Sequence, residues 1–322
     1  MRHYLTLALL SGLLFLHPGN ILSEEPSQLI GFIENSAEKT ILRIAFERIS
    51  QQWISIYPST SDIKNVTSCR SESAKGFLKW KALYSGREIG EVATRGYLTP
   101  KYCSEIGSAK IVTETPVPRV GEMSLELAGW LDKPVFRPLV AITGRHFKDP
   151  EGWSPSKPRI SDLKQLWPLF TKNVGIATNC KIDAKGDQKF IRWHYRRNDL
   201  IILKSFSSNR GSRLIGIMLN PKLYKCDSPL GREWSSFWFV IHADNGTLPL
   251  LPQVGNPESE YQLVAIDFGD YDGGGKSEAL FWVSSYDEDG YVMFYDAFSK
   301  HAAFTGPIIE AVYIATPLVI IA

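Results

Sequence analysis

Hydrophobic and polar positions alternate with a period of two over much of this chain, the spacing that puts successive side chains on opposite faces of a strand. Between 39 and 56, Leu42, Ile44, Phe46 and Arg48 interleave with Ile41, Arg43, Ala45 and Glu47, and a second run follows at Trp53-Ile54-Ser55-Ile56. The stretch 58–74 is rich in Ser and Thr and reads as a loop. Two strand-like runs, 77–84 and 89–95, are joined by Ser85-Gly86-Arg87-Glu88, a hairpin signal. Connectors punctuated by Pro and Gly at 116–121 and 150–158 bracket another expected strand at 134–142. Strand patterns return from 174 onward, at Ile176, 190–195, 200–206, 214–219, 237–241 and 248–251. Asp244-Asn245-Gly246-Thr247 carries the Asn-Gly pair that favours a tight hairpin.

One helix is expected. Ser161-Asp162 supplies an N-cap, and Leu163, Leu166, Trp167 and Phe170 follow at helical spacing. Pro168 has no backbone N–H and should end or kink it after about two turns, giving a short helix near 161–168. Strand after strand at intervals of about ten residues makes the fold mainly β, built of antiparallel sheets. No exact internal repeat is visible. The expected divisions are 1–23 as a leader, 24–160 as an N-terminal β region, 161–300 as a C-terminal β region, and 301–322 as an apolar tail. The tail's last dozen residues, 311–322, are almost wholly apolar but interrupted by Pro317; they read as a buried final strand, with a lipid-facing tail as the alternative, and are too short for an ordinary membrane helix.

The leader sets the compartment. Arg2 and His3 precede an apolar run from 4 to 16, which His17-Pro18-Gly19 breaks before polar residues begin at Ser23. A dozen or so apolar residues fall short of the ~20 that cross a bilayer, but they have the order of a secretory signal peptide. Cleavage near Ser23 would leave a secreted or periplasmic protein with no integral membrane span. All four cysteines, Cys69, Cys103, Cys180 and Cys226, lie beyond it and would meet an oxidising environment. Of the three pairings open to them, the sequential one, Cys69–Cys103 and Cys180–Cys226, staples consecutive β segments. Each bridge would contribute about 3–4 kcal/mol on the chain-entropy account. The sequons at Asn65 and Asn245 read as surface turns.

Composition narrows the partners. The 322 residues are 44% hydrophobic and 22% charged, enough to fill a core. Lys plus Arg number 36 against 34 Asp plus Glu, and this near-balance argues against nucleic-acid binding or a polybasic membrane anchor, both of which need a strong positive field. Aromatic residues at 12% lean toward a β-rich fold or an aromatic binding face.

The segment with recognisable chemistry is Tyr261-Gln262-Leu263-Val264-Ala265-Ile266-Asp267-Phe268-Gly269-Asp270-Tyr271-Asp272-Gly273-Gly274-Gly275-Lys276-Ser277-Glu278. A strand runs into an acidic, glycine-rich turn, and a second strand leaves it through Ala279-Leu280-Phe281-Trp282-Val283. A hard cation such as calcium takes six to eight oxygens at about 2.3–2.6 Å. Asp270, Asp272 and Glu278 at positions 1, 3 and 9 of the turn, with the Lys276 carbonyl at position 7, would wrap such an ion. An EF-hand also has glycine at position 6, here Gly275, but it needs a glutamate where Phe281 stands and helices where these flanks read as strands.

The Phe268-Gly269-Asp270-Tyr271-Asp272-Gly273-Gly274-Gly275-Lys276-Ser277-Glu278 turn resembles the integrin-type FG-GAP repeat, also called the VCBS-type repeat, over about 261–298. The resemblance implies calcium held for structure, a role in adhesion or ligand binding, and a β-propeller-like architecture, with a pair of β-sandwiches as the alternative. The third strand of the blade would be Gly290-Tyr291-Val292-Met293-Phe294-Tyr295. Gly274 departs from the pattern by removing one carboxylate, and no upstream copy of the motif is present.

Other constellations carry less. The strip Lys189-Phe190-Ile191-Arg192-Trp193-His194-Tyr195-Arg196-Arg197 reads as a half-buried strand with a solvated basic face, with an anionic glycan or peptide as the functional alternative. His146, His194, His242 and His301 are scattered, and no hydrolase motif surrounds them. Asp267 with Asp287 and Asp289 is a candidate carboxylate pair for glycoside cleavage. Two readings follow: a secreted, calcium-stabilised binding or adhesion module for a surface protein or glycan, and a secreted hydrolase of polysaccharide or peptide.

Overall fold

A computed structural model describes residues 28–35, 40–56, 77–95, 108–112, 137–144, 147–174, 177–182, 185–186, 188–193, 196–220, 223, 236–244, 246–250, 261–285 and 288–307. The fold is mainly β, and every strand pairing is antiparallel.

The first sheet holds seven strands: β1 (Gln28–Asn35), β2 (Thr40–Ile49), β3 (Gln52–Ser55), β4 (Phe77–Tyr84), β5 (Arg87–Arg95), β6 (Ser108–Ile111) and β7 (Leu139–Ile142). Its neighbours run β1-β7-β4-β5-β6-β2, and β2 pairs again with β1, so the pairings form a cycle with β3 appended to β2. One face is lined by Leu29, Ile33, Leu42, Ile44, Trp80, Val92 and Leu139, which pack on one another. Trp80 there donates its indole N–H to Thr94 Oγ1 at 2.9 Å, so the buried ring leaves no polar atom unpaired.

The five-stranded sheet is a meander. β8 (Ser154–Pro155) edges it, followed in space by β11 (Leu200–Ser207), β12 (Arg213–Leu219), β13 (Phe237–Ile241) and β14 (Thr247–Leu250). Between β8 and β11 the chain forms α1 (Ile160–Val174) and the ribbon β9 (Ala177–Ile182) with β10 (Gln188–Trp193). The last four strands are also a meander: β15 (Tyr261–Gly269), β16 (Glu278–Ser285), β17 (Glu288–Tyr295) and β18 (Lys300–Pro307).

That last sheet is buried on both faces. On one, Ile266, Leu280, Trp282, Tyr291, Met293 and Phe304 pack against Ile30, Phe32, Phe46, Trp53 and Ile142 of the seven-stranded sheet. On the other, Leu263, Phe268, Phe281, Val283, Val292 and Phe294 pack against Trp153, Leu214, Trp238 and Val240 of the five-stranded sheet. The period-two alternation of β16 and β17 therefore sorts apolar residues between two cores instead of between core and water. α1 covers the outer face of the five-stranded sheet through Leu166 and Phe170, which meet Ile215, Ile217, Phe237 and Phe239.

The helix differs from expectation in length and in its cap. It runs to Val174, past Pro168, because Pro168 lies on the exposed side, where water can satisfy the carbonyl that the proline leaves unbonded. Leu166 and Phe170 are buried on either side of it and hold the helix through that defect. Asp162 is not the cap but lies in the first turn, reaching back to accept the Arg159 backbone N–H at 3.0 Å. The same carboxylate accepts from Arg213 Nη1 at Oδ1 and from Nη2 at Oδ2, each at 2.9 Å.

The 301–322 segment also differs in part, since β18 begins at Lys300 and completes the last sheet, with Ala302 and Phe304 buried. Residues 1–27 and 308–322, and Cys69, Cys103 and Cys226, lie outside the described residues, as does the side chain of Cys180 on β9. The expected leader and disulfides therefore fall outside them too. Among the described residues, no helix is long and apolar enough to cross a membrane.

The Asp162–Arg213 pair ties the helix to its sheet with both groups buried. Asp162→Ala is expected to cost about 3–5 kcal/mol in urea denaturation, because it strands a buried guanidinium, while Asp162→Leu combined with Arg213→Met costs much less. Equal losses in the two proteins would show that the pair is not what holds α1.

Candidate metal centre

The site is the turn between β15 and β16. The register closes it by pairing Gly269 with Glu278, and the flanks are strands. Gly273 and Gly275 take φ of 72° and 80°, left-handed values that glycine adopts without strain, and these bend the turn back on itself. Gly269 is fixed by space: an added Cβ would lie 2.2 Å from the Phe147 ring.

These bends bring Asp270, Asp272 and Glu278 together, with a carboxylate oxygen from each within 4.8 Å of the others. Asp270 and Glu278 are buried and Asp272 is half-buried. Backbone N–H groups meet some of the oxygens: Gly275 donates to Asp270 Oδ2 at 2.9 Å, Tyr271 to Glu278 Oε2 at 2.7 Å, and Gly274 to Asp272 Oδ1 at 2.6 Å. Asp270 Oδ1 is buried with no hydrogen-bond partner. Of the four predicted ligands, Lys276 is the one whose side chain stays out of the cluster: it is exposed, and its charge acts on Asp296.

The electrostatics follow from this crowding. Burial first, then the charge of Asp272, pushes Glu278 up to about 9. Burial, together with Asp272, also raises Asp270. Beneath the turn, a bulge between Ala265 and Asp267 turns both Ile266 and Asp267 toward the seven-stranded sheet. Asp267 there accepts the Gly86 N–H at 2.8 Å, and burial raises it to about 6. Buried Tyr271 is pushed up by burial and by Asp267 and Glu278 beside it.

Three distant segments clamp the turn, and none of them stands out in the sequence. Arg48, at the end of β2, places Nη2 3.0 Å from Asp272 Oδ2 and donates Nη1 to the Asp272 carbonyl. Gln28 of β1 donates its side-chain amide to the Tyr271 carbonyl. In the 147–153 segment, Lys148 O accepts the Asp270 N–H at 2.9 Å, and Asp149 Oδ1 accepts the Ser277 hydroxyl at 2.5 Å. Asp149 also gathers the backbone N–H groups of Glu151 and Trp153, which curls its own segment around the turn. Such contacts join residues more than a hundred positions apart, so no local spacing announces them.

Of the carboxylates considered for glycoside cleavage, the described residues relate only Asp267 to the backbone of Asp289. Asp267 sits level with Leu280 and so with Met293, four residues from Asp289 on β17, which is about 13 Å at strand rise. Asp287 lies outside the described residues, as do the His146 and His194 positions and the side chains of 188–193 in the basic strip. His301 is half-buried against Phe294. No family model, curated protein or solved structure matches this chain.

Because Glu278 keeps a proton in the folded protein that the unfolded chain has released, each rise in pH above about 4.5 favours unfolding until about 9. Asp267 adds to the same slope between 3.8 and about 6. In chelator, urea denaturation between about pH 5 and pH 8 is expected to show stability falling by up to ~1.4 kcal/mol per pH unit per group, with Glu278→Gln flattening most of the slope. A wild-type stability that rises with pH in this window would contradict the burial of an uncompensated carboxyl.

Proposed function

We propose that this chain is a secreted or periplasmic β protein whose 270–278 turn binds calcium for structure, and that it serves as a binding or adhesion module for a surface protein or glycan. The observation that carries the metal reading is the unpartnered, buried Asp270 Oδ1 within a three-carboxylate cluster. A hydrogen-bond donor or a cation must satisfy such an atom at low cost to the fold, and a hard divalent ion also cancels the repulsion that raises Glu278. Asp270, Asp272 and Glu278 would be the carboxylate ligands, and the Lys276 carbonyl would supply a backbone oxygen. Oxygen donors alone suit calcium, and the glycine at position 274 leaves one carboxylate fewer than sensor sites use. The affinity fits an extracellular module, about 10⁻⁴–10⁻³ M.

Strand flanks, glycines at the bends and the four-stranded meander also support a blade of the FG-GAP or VCBS type. A four-stranded meander covered on each face by another sheet is compatible with a β-propeller-like arrangement and with paired sandwiches. The adhesion role rests on that resemblance and on the leader.

At about 10 mM calcium the expected stabilisation is about 1.4–2.7 kcal/mol, a rise of several degrees in Tm. Asp270→Ala should abolish the response; it gives up the Gly275 contact but keeps those of Tyr271 with Glu278 and of Gly274 with Asp272. Superimposable wild-type melting curves in calcium and in chelator would refute the metal reading.

A further inference from the structure

The acid turn already has one cation of its own. Arg48 belongs to a different sheet and is 224 residues away in sequence, yet its guanidinium grips both the side chain and the carbonyl of Asp272. Among the described residues, no other Lys or Arg forms an ion pair with the three acids. Lys276 acts on Asp296, and Arg137 sits over the Tyr84 ring at 4.6 Å. Arg48 Nε is buried without a hydrogen-bond partner, although the side chain as a whole is 24% exposed.

We propose that Arg48 is a built-in counter-cation that shares Asp272 with the divalent ion and so sets the ion's affinity. The inference rests on the metal reading above and names how that site is regulated. When ionised, Asp270, Asp272 and Glu278 carry three negative charges; Arg48 neutralises one and leaves the charge that one divalent ion cancels. Both Asp272 oxygens are engaged before any ion arrives, Oδ1 by the Gly274 N–H and Oδ2 by Arg48. An ion must therefore share an oxygen with the guanidinium or displace it, and at such separations the two cations repel strongly. In return, Arg48 keeps the turn docked on β2 when the ion is absent. The site then responds to abundant calcium without depending on it to fold.

Loss of the charge therefore has two effects of opposite sign. Arg48→Met is expected to lower the Tm of the calcium-free protein and to tighten calcium binding by about tenfold or more in calorimetric titration. Arg48→Gln, which keeps a hydrogen bond to Asp272 without the charge, should tighten binding with less loss of stability, and Arg48→Lys should bind like wild type. A guanidinium that only held the turn in shape would give weaker calcium binding in both neutral variants. Equal or weaker binding by Arg48→Gln, with calcium binding intact in wild type, overturns this inference and spares the metal reading. Binding by Arg48→Gln alone overturns the sharing and the native metal reading with it, since the guanidinium then fills the cation position by itself. Absence of calcium binding in wild type and both neutral variants overturns the metal reading and this inference together.

Discussion

Carboxylates packed into low-dielectric surroundings without matching positive charge are the constraint on which this structure turns. Two of the three acids in the 270–278 turn are buried, and among the described residues a single guanidinium pairs with them. Burial makes each charge expensive, and proximity makes the second and third more so. The protein meets that cost with backbone N–H groups, one arginine and a proton on Glu278, yet Asp270 Oδ1 is still unmet. A divalent cation would satisfy all of these demands at once.

The turn matters beyond its own length because of where it sits. The four-stranded sheet lies between two others, so its edges and connections are the places where polar contacts can join the layers. Arg48 and Gln28 reach the turn from the seven-stranded sheet, and Asp149 and Lys148 reach it from the segment that enters the five-stranded sheet. Gly86, at the β4–β5 bend, caps Asp267 just below. Apolar packing supplies most of the adhesion between layers, but it is non-directional. The polar contacts at the turn fix how the layers register, as does Tyr291, which stacks on Phe32 and donates its hydroxyl to Glu34 at 2.7 Å.

The runs at 77–84, 214–219 and 237–241 were legible in the sequence and correspond closely to β4, β12 and β13, the last two as unbroken apolar stretches between turn signals. The strands that escaped notice did so for separate reasons. β1 is apolar at Leu29, Ile30, Phe32 and Ile33 because both of its faces are buried, so no alternation marks it. β8 has two residues and includes a proline, which only an edge position tolerates. β18 contains small residues whose burial depends on β17 beside them. Pro168 misled because propensity speaks for the backbone alone, and which side of the helix meets water is a tertiary fact. In the site, the acids were legible because their spacing is local. Arg48, Gln28 and Asp149 were not, since only the folded chain brings them near.

A divalent ion at the point where the three carboxylates meet would relieve both the unmet oxygen and the crowded charge. Anomalous diffraction from crystals grown in calcium tests this most directly. One peak is expected within about 2.3–2.6 Å of oxygens from Asp270, Asp272 and Glu278 and of the Lys276 carbonyl. A fully occupied calcium elsewhere, with these carboxylates unshifted and no density among them, would contradict it.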